Sequence, residues 1–222
     1  MSVLGLIGGT GDLGYALGYH LSKKNLVLLG SRNLEKAKAA VAEIISEKKN
    51  PDSERNLEAA ENSTVVQTCD VIILTVPHAN ALETILSLSQ RFRDDQILVS
   101  AVAAVAKKGD DFISEIDASG KSFAQQIKEI VPDSVKVAAA FQTVPANMLY
   151  REREMQADVP VATDSIDVYN AVSKIVADIQ GLRPLYLGSL QLSGEVERLT
   201  ALLLNIGKRN GLKSPTLLFP SF

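Results

Sequence analysis

Short, continuous hydrophobic runs alternate along this chain with segments whose apolar residues recur at helical spacing. The runs occupy residues 4–7, 26–30, 71–76, 97–100 and 135–140. Strands buried on both faces of a parallel sheet have this continuous character, whereas half-exposed strands alternate apolar and polar residues. Helices are predicted over residues 33–46, from near Asn80, and over residues 122–130. This succession of strand, helix and strand predicts an α/β fold with a doubly wound parallel sheet.

The alternation continues towards the carboxyl terminus. The remaining predicted elements are a strand at residues 159–162, a helix over residues 165–179, a strand at residues 182–187 and a helix over residues 193–209. The strand at residues 182–187 is expected at an edge of the sheet, because Pro184 has no N–H to donate to a neighbouring strand. Gly211 is a plausible stop signal for the last helix.

Three stretches fall outside this alternation. Residues 47–61 are highly charged and broken by Pro51, so we expect a loop with a short helix there. Residues 106–120 carry two glycines and three aspartates, and are expected to form a surface loop that borders the site. The tail, residues 212–222, is apolar and should be buried against the protein's own site or against a partner subunit.

The composition excludes several classes of function. The 222 residues are 46% hydrophobic and carry a net charge of −3, which gives ample core material but no basic surface for nucleic acid. No apolar run is long enough for a bilayer and no basic leader is seen, so we expect a cytoplasmic protein without membrane association. Cys69 is the single cysteine, and His20 and His78 are the only histidines, so we expect neither an intrachain disulfide nor a metal cluster.

Candidate chemistry begins where the first strand ends and Gly9-x-Gly11-x-x-Gly14 opens a helix. In dinucleotide sites, the first glycine of this pattern permits a sharp reversal and the second lets a pyrophosphate approach the backbone. The third lets the helix pack closely on the strand. Unpaired N–H groups in the first helical turn favour an anion. The alternative is a glycine-rich turn that binds no nucleotide. The end of the next strand also fits the dinucleotide pattern, which argues against that alternative.

That second strand ends in Ser31, Arg32 and Asn33. Proteins that select NAD commonly place a carboxylate here for the ribose 2′-hydroxyl, and a carboxylate would repel the extra phosphate of NADP. A hydroxyl and a guanidinium would bind that phosphate. Lys36 is either a further phosphate contact or part of a solvated helix start. We therefore predict NADP(H) in a Rossmann-type domain, residues 1–142, with residues 143–222 forming a small α/β extension that completes the substrate cleft.

Ligands of open parallel sheets bind beyond the carboxyl ends of the strands. Two strand ends, residues 75–78 and 100–102, are expected to line the nicotinamide half of the cleft. The residues concerned are Val76, Pro77, His78 and Ala101. A third, residues 141–147, is predicted to form a rigid floor, in which Gln142 and Pro145 line the cleft.

The predicted site offers no candidate proton relay. His78, the one nearby titratable group, is interpreted as a wall or as a hydrogen-bond partner of the backbone rather than as an acid. Reduction of a ketone needs a proton donor, whereas transfer between two flat redox rings needs mainly alignment and exclusion of water. We therefore predict hydride transfer by positioning, without a catalytic side chain or a metal.

The chain resembles a known family, the NADPH-dependent deazaflavin reductases, also called F420H2:NADP oxidoreductases. The matching segments are residues 8–14, 30–32, 74–77, 143–146, 181–185 and 204–211. The resemblance implies reversible hydride transfer between NADP(H) and coenzyme F420, with both rings stacked in one cleft, in a homodimer. It implies that NADP is held by Thr10, Gly11, Asp12, Leu13, Ser31, Arg32 and Lys36. It also implies that Ala146 and the tail lie beside the deazaflavin.

Two departures from the family pattern fall on the deazaflavin side. Gln142 stands where a histidine is expected, and Ala103 and Ala104 lie where prolines are expected. The alternative functions are an NADPH-dependent reductase of a flavin, a ferric complex or an imine, and a non-catalytic NADP-binding sensor. The departures leave the NADP prediction stronger than that of the electron partner.

Overall fold

The computed structural model describes residues 3–46, 56–115, 120–149 and 156–220. The strands are β1 (Val3–Ile7), β2 (Leu26–Ser31), β3 (Leu57–Glu61), β4 (Val71–Leu74), β5 (Ile97–Ser100), β6 (Val105–Lys108), β7 (Asp111–Ser114), β8 (Lys136–Ala139), β9 (Ala157–Thr163) and β10 (Leu182–Gly188). The helices are α1 (Asp12–Leu21), α2 (Leu34–Ser46), α3 (Asn62–Thr68), α4 (His78–Leu88), α5 (Phe123–Ile130), α6 (Ala146–Leu149), α7 (Ile166–Ala177) and α8 (Ser193–Asn210).

Eight strands form one sheet in the order β10-β9-β8-β5-β4-β1-β2-β3. Neighbouring strands are parallel except for β8 and β9, which pair antiparallel. The order reverses between β1 and β4, so the predicted doubly wound α/β fold is confirmed. β10 lies at an edge of the sheet, as Pro184 predicts. The division at residue 142 stays a prediction; β9 and β10, which follow that residue, continue the same sheet.

Helices cover both faces of the sheet and bury its strands. β4 is buried along its whole length, which explains its uninterrupted apolar sequence. One core layer includes Leu17 of α1 and Ile44 of α2, and the other includes Ile85 of α4 and Ile127 of α5. Within the described residues, no helix combines the length and the apolar character needed to cross a bilayer.

Two predicted loops are wrong. Residues 57–61 form the edge strand β3, which pairs with β2, rather than part of a charged loop. Leu57 and Ala60 of this strand are buried in the two opposite core layers while Glu58 and Glu61 are exposed, so this charged segment still contributes to the core on both faces of the sheet. Residues 47–55, including Pro51, lie outside the described residues.

The second wrong prediction is the loop over residues 106–120. Its first part is a β-hairpin in which Lys108 pairs with Asp111 across the two-residue turn Gly109-Asp110. Gly109 has φ +62°, a conformation that favours glycine. The hairpin packs on α8, where the backbone N–H of Phe112 donates to Asn205 Oδ1 over 2.9 Å and Asn205 Nδ2 donates back to the Phe112 carbonyl over 2.6 Å. Residues 116–119 lie outside the described part of the chain.

The carboxyl-terminal tail is fastened to the start of β9. The Asp158 N–H donates to the Leu217 carbonyl over 2.8 Å, and the buried Asp158 carboxylate accepts from the Phe219 N–H. Arg183 of β10 donates to both oxygens of the same carboxylate, at 2.6 and 2.8 Å. Residues 214–217 are partly buried, whereas Leu218 and Phe219 remain about half exposed, so the chain covers its own tail only in part.

Candidate functional site

The glycine-rich turn between β1 and α1 is closed by backbone hydrogen bonds. The Gly9 N–H donates to the Gly30 carbonyl of β2 over 2.8 Å, and the Gly11 N–H donates to the Gly8 carbonyl over 3.0 Å. Gly8 has φ +82°. The left-handed residue that reverses the chain is therefore Gly8, rather than Gly9 as the sequence pattern suggested.

The other glycines of the turn differ in what surrounds them. A Cβ at Gly14 would lie 2.6 Å from the Gly8 carbonyl oxygen, and one at Gly9 would lie 2.6 Å from Leu29 Cγ. Both positions thus need glycine for packing. A Cβ at Gly11 would meet only the Gly8 oxygen, at 3.4 Å, so the space above Gly11 is open. This is the room that a pyrophosphate requires.

A cleft of about 340 Å³ opens over this turn, and we refer to it as the glycine-turn cleft. It is lined by Gly8, Thr10, Gly11, Ser31, Arg32, Asn33, Lys36, Asn62, Thr75, Val76, Pro77, Asn80 and Thr84. Seven predicted cofactor residues are thereby brought together: Thr10, Gly11, Ser31, Arg32, Lys36, Val76 and Pro77. Six predicted positions lie outside this lining: Gly9, Asp12, Leu13, His78, Ala101 and Ala146.

The cationic end of the glycine-turn cleft is built by the start of α2. Ser31 Oγ accepts from the Asn33 N–H over 3.2 Å, and Asn33 Oδ1 accepts from the Lys36 N–H over 3.2 Å. Asn33 therefore caps α2 and orders the turn that carries Arg32. The side chains of Arg32 and Lys36 are exposed beside the cleft. Two cations at a helix amino terminus favour an anion at this place.

Asn62 is a cleft residue that the sequence analysis missed. It begins α3 at the carboxyl end of β3, and only 6% of its surface is exposed. Its Oδ1 atom has no hydrogen-bond partner among the described residues. Leaving a buried acceptor unpaired costs about 1–3 kcal/mol, so a donor supplied by a ligand would be favoured. From the sequence, the preceding residues, 47–61, are predicted as a loop rather than a strand, so the position of Asn62 beside β2 could not be predicted.

A second, larger cavity of about 610 Å³ lies under the carboxyl-terminal tail, and we call it the tail cavity. The turn after β8 supplies Gln142, Thr143, Val144 and Pro145; the hairpin supplies Phe112; α8 and the tail supply Thr200, Leu203, Leu204, Gly207, Lys208, Leu212, Lys213, Ser214 and Pro215; and α6 supplies Asn147. Gln142 and Pro145, which were predicted to line the cleft, thus line this cavity. Ala146 lies in the chain between Pro145 and Asn147, which both line it. The contributions of the hairpin and α8 were missed.

The two cavities open beyond the carboxyl ends of neighbouring strands in the middle of the sheet. Val76 and Pro77 follow β4, Gln142 follows β8, and β5 lies between these strands. Neighbouring strands are about 4.8 Å apart, so the ends of β4 and β8 are separated by roughly 10 Å. Gln142 Nε2 donates to the Ser100 carbonyl at the end of β5, over 3.0 Å. Two ligands held in these cavities would therefore approach each other across the end of β5.

Comparison with known proteins agrees with this arrangement. Residues 3–104 match the family model of coenzyme F420-dependent NADP oxidoreductases. The F420-dependent NADP reductase of Methanothermobacter thermautotrophicus is 29% identical over 95% of this chain and 91% of its own length. The chain is therefore similar to the F420-dependent NADP oxidoreductase family over most of its length. A second relative, the F420-dependent NADP reductase of Methanocaldococcus jannaschii, is 28% identical over 91% of both chains.

The fold of the family also appears among solved structures. The crystal structure of a candidate F420-dependent NADP reductase from Arthrobacter sp. FB24 superposes with a TM-score of 0.79 over the whole of both chains, at 15% identity. This likeness concerns the fold, including the strands that follow residue 142. The similarity to NADP-dependent oxidoreductases agrees with the resemblance found in the sequence.

His78 lies next to the glycine-turn cleft, whereas Cys69 lies at the opposite, amino-terminal end of β4, and the surroundings of both side chains are structural. His78 Nε2 lies 3.1 Å from Glu115 Oε2, and its ring packs edge-on against Phe123. The partner of His78 is thus a carboxylate rather than the backbone. Cys69 is fully buried between α3 and β4, and burial raises the pKa of its thiol to about 12. A thiol with that pKa is unreactive, as expected for a packing residue.

Glu197 fixes the position of α8, which forms one wall of the tail cavity. Its carboxylate accepts from the N–H groups of Phe123 and Ala124, the first residues of α5, over 2.9 and 3.2 Å. Burial raises the pKa of Glu197 to about 7, although these two hydrogen bonds act in the opposite direction. The same junction holds Ser122 Oγ against Ser193 Oγ at 2.6 Å.

Proposed function

We propose that this protein transfers a hydride between NADP(H) and coenzyme F420. The observation that carries the proposal is the pair of cavities beyond the carboxyl ends of neighbouring strands. One is cationic and built on a glycine turn, and the other is mainly apolar and enclosed by α8 and the tail. The 29% identity to an F420-dependent NADP reductase supports the same reaction.

The residues of the glycine-turn cleft fit NADP. The open space above Gly11 would take the pyrophosphate, and Ser31, Arg32 and Lys36 would hold the 2′-phosphate through charge-assisted hydrogen bonds. We retain Gly9, Thr10, Asp12 and Leu13 as proposed parts of this turn, together with Val76, Pro77, His78 and Ala101 as proposed walls. The nicotinamide, when bound, supplies or accepts the hydride.

The tail cavity fits a flat, largely apolar ring. Val144, Pro145 and Leu203 offer apolar surfaces, and Ala146 begins the short helix beside them. In this proposal the protein holds the two rings in contact and excludes water, so Gln142 and Pro145 act by positioning. The cavity residues need not transfer a proton.

Spectrophotometry tests the proposal directly. We expect NADPH to reduce F420, so that the visible absorbance of the deazaflavin is lost in proportion to NADPH consumed. FMN, FAD, a ferric chelate and a cyclic imine, each under the same conditions, test the alternative reductases. Turnover with one of those acceptors and none with F420 would overturn the proposal, and NADPH binding without turnover of any acceptor would indicate a sensor.

We also propose that the protein acts as a homodimer. Leu202 and Ile206 of α8, with Leu212, Leu218 and Phe219 of the tail, expose large apolar side chains that a second copy of the chain could cover. Light scattering during size-exclusion chromatography should give twice the mass of the chain. Leu202→Glu should lower that mass, whereas a monomeric wild-type protein would refute the assembly.

A further inference from the structure

The turn that follows β8 has an uncommon backbone conformation. Phe141 has φ +72° although it is neither glycine nor asparagine, and it is almost completely buried. The Val144 N–H donates to the Phe141 carbonyl over 3.1 Å and closes a four-residue turn. A bulky residue persists in this conformation only where its surroundings dictate it, and such positions cluster at ligand sites.

Three separate elements fix this turn. Gln142 Nε2 donates to the Ser100 carbonyl of β5 over 3.0 Å. Thr200 Oγ1 of α8 donates to the Gln142 carbonyl over 3.0 Å, and Thr216 Oγ1 of the tail donates to the Thr143 carbonyl over 2.9 Å. The side chains at positions 142 and 143 are therefore held in place before any ligand arrives.

Two polar atoms of this turn are left unpaired. Gln142 and Thr143 line the tail cavity with only 6% and 3% of their surfaces exposed. Neither Gln142 Oε1 nor Thr143 Oγ1 has a hydrogen-bond partner among the described residues. The bond from Nε2 to the Ser100 carbonyl fixes the orientation of the amide and leaves Oε1 as the unpaired acceptor of a residue that lines the cavity. Position 143 offers a hydroxyl that donates or accepts.

We infer that Gln142 and Thr143 recognise the edge of a cyclic imide, the N–H and neighbouring carbonyl of the pyrimidine ring in a deazaflavin. The ring N–H would donate to Gln142 Oε1, and the Thr143 hydroxyl would donate to the ring carbonyl, so both buried atoms gain partners. The apolar residues of the tail cavity are left for the ring faces. This inference rests on the proposed function and adds which edge of the ring system is directed at the turn after β8.

The nicotinamide carboxamide is the competing occupant, since it also presents an N–H beside a carbonyl. The observation against it is that Gln142 and Thr143 belong to the lining of the tail cavity and not to that of the glycine-turn cleft. The two ligands are distinguished by which affinity a substitution changes.

The test uses the full chain saturated with NADP and, as probe, an 8-hydroxy-5-deazaflavin without its side-chain tail. A matched probe carries a methyl group on the imide nitrogen and cannot donate. Wild-type protein should bind the methylated probe roughly 10- to 100-fold more weakly, as expected when one hydrogen bond to a buried group is lost. Binding is measured by quenching of the deazaflavin fluorescence.

Substitutions complete the comparison. Gln142→Met should weaken the unmethylated probe and abolish the difference between the two probes, while Thr143→Val weakens both. Gln67→Met and Thr64→Val, at exposed positions of α3, are matched controls that should change neither affinity. Thr143→Val should retain the wild-type melting temperature, because it removes an unpaired polar atom from the protein interior. Gln142→Met also loses the Nε2 hydrogen bond to the Ser100 carbonyl, which still accepts from the Ala140 N–H, so its melting temperature should fall only slightly.

Each other outcome overturns the inference in its own way. Equal binding of both probes by the wild-type protein would refute imide recognition while leaving the F420 function intact. A loss of NADP affinity in Gln142→Met would assign the turn to the carboxamide. Failure of the wild-type protein to bind either probe, with NADP still bound, would overturn the proposed function together with this inference.

Discussion

Arg32 is the residue on which the choice between NADP and NAD depends. We expect Arg32→Glu to weaken NADPH binding by about 1.5–3 kcal/mol, because a charge-assisted contact to the 2′-phosphate is replaced by repulsion. NADH lacks that phosphate and should be affected much less. Isothermal titration with both nucleotides measures the difference.

The control for this substitution is Arg91→Glu, which makes the same change of charge at an exposed position after α4. It should leave both affinities unchanged. Equal weakening of NADPH and NADH by Arg32→Glu would show that Arg32 acts on the shared part of the nucleotide or on the fold.

Individual residues were predictable where their place along the chain determines their place in the site. Ser31 and Arg32 follow a strand whose carboxyl end must face the ligand, so the sequence places them correctly beside the glycine turn. Asn62 and Thr143 were not predictable as unpaired groups. Whether a polar atom finds a partner depends on neighbours from distant segments, such as β2 for Asn62 and the tail for Thr143.

The glycine turn can be tested as an element through two glycines that differ in their surroundings. Gly11→Val places its side chain in open space, so we expect a folded protein that no longer binds NADPH. Gly14→Val meets the Gly8 carbonyl and should destabilise the fold itself. Thermal unfolding and NADPH titration of both variants separate the two effects. Full NADPH affinity in Gly11→Val would mean that the turn has another purpose.

The junction of α5 and α8 should make stability depend on pH. The pKa of Glu197 is about 7 in the folded protein, against an ordinary value of 4.5, so the folded state holds this proton more tightly than the unfolded state. The raised pKa of Glu197 stabilises the folded state fully below pH 4.5, and this stabilisation is lost as the pH rises towards 7. The total loss is on the order of 3 kcal/mol. Denaturant titrations across this range should show the slope, and Glu197→Gln should reduce it.

Glu195→Gln is the matched control for that experiment, since Glu195 lies on the same helix with an exposed side chain. It should leave the slope between pH 4.5 and 7 unchanged. An unaltered slope in Glu197→Gln would assign the pH dependence to other groups.

At the level of elements, the sequence predicted the buried strands and the amphipathic helices but missed β3 and the hairpin. β4 is apolar throughout because both its faces are covered, so its sequence alone identifies it. β3 is an edge strand with exposed glutamates, and pairing with β2 outweighs its low strand propensity. The turn at Gly109-Asp110 is itself a hairpin signal, but its strands are polar and are held by Asn205 of α8.

Across the whole molecule, the tail connects the far edge of the sheet with the cavity in its middle. The Asp158 carboxylate accepts hydrogen bonds from Arg183 and from the Phe219 N–H. Hydrogen bonding from Arg183 lowers the pKa of this buried carboxyl. From there the tail returns across the turn after β8, where Thr216 binds the Thr143 carbonyl. This path could not be predicted, because an apolar tail of eleven residues carries no periodicity that indicates where it lies.

Removing the tail should therefore affect one cavity and spare the other. A chain ending at Gly211 loses Leu212, Lys213, Ser214 and Pro215 from the wall of the tail cavity, whereas the glycine-turn cleft keeps its whole lining. We expect F420 to bind at least about tenfold more weakly, which corresponds to about 1.4 kcal/mol, and NADPH affinity to stay unchanged. Gly207→Val is a milder version, because a Cβ there would lie 2.8 Å from Pro215 Cγ and would push the tail outward. Titration of both variants with each coenzyme measures the effect, and retained NADPH affinity shows that the sheet is intact. Undiminished F420 affinity in both would mean that the coenzyme does not use the cavity beneath the tail.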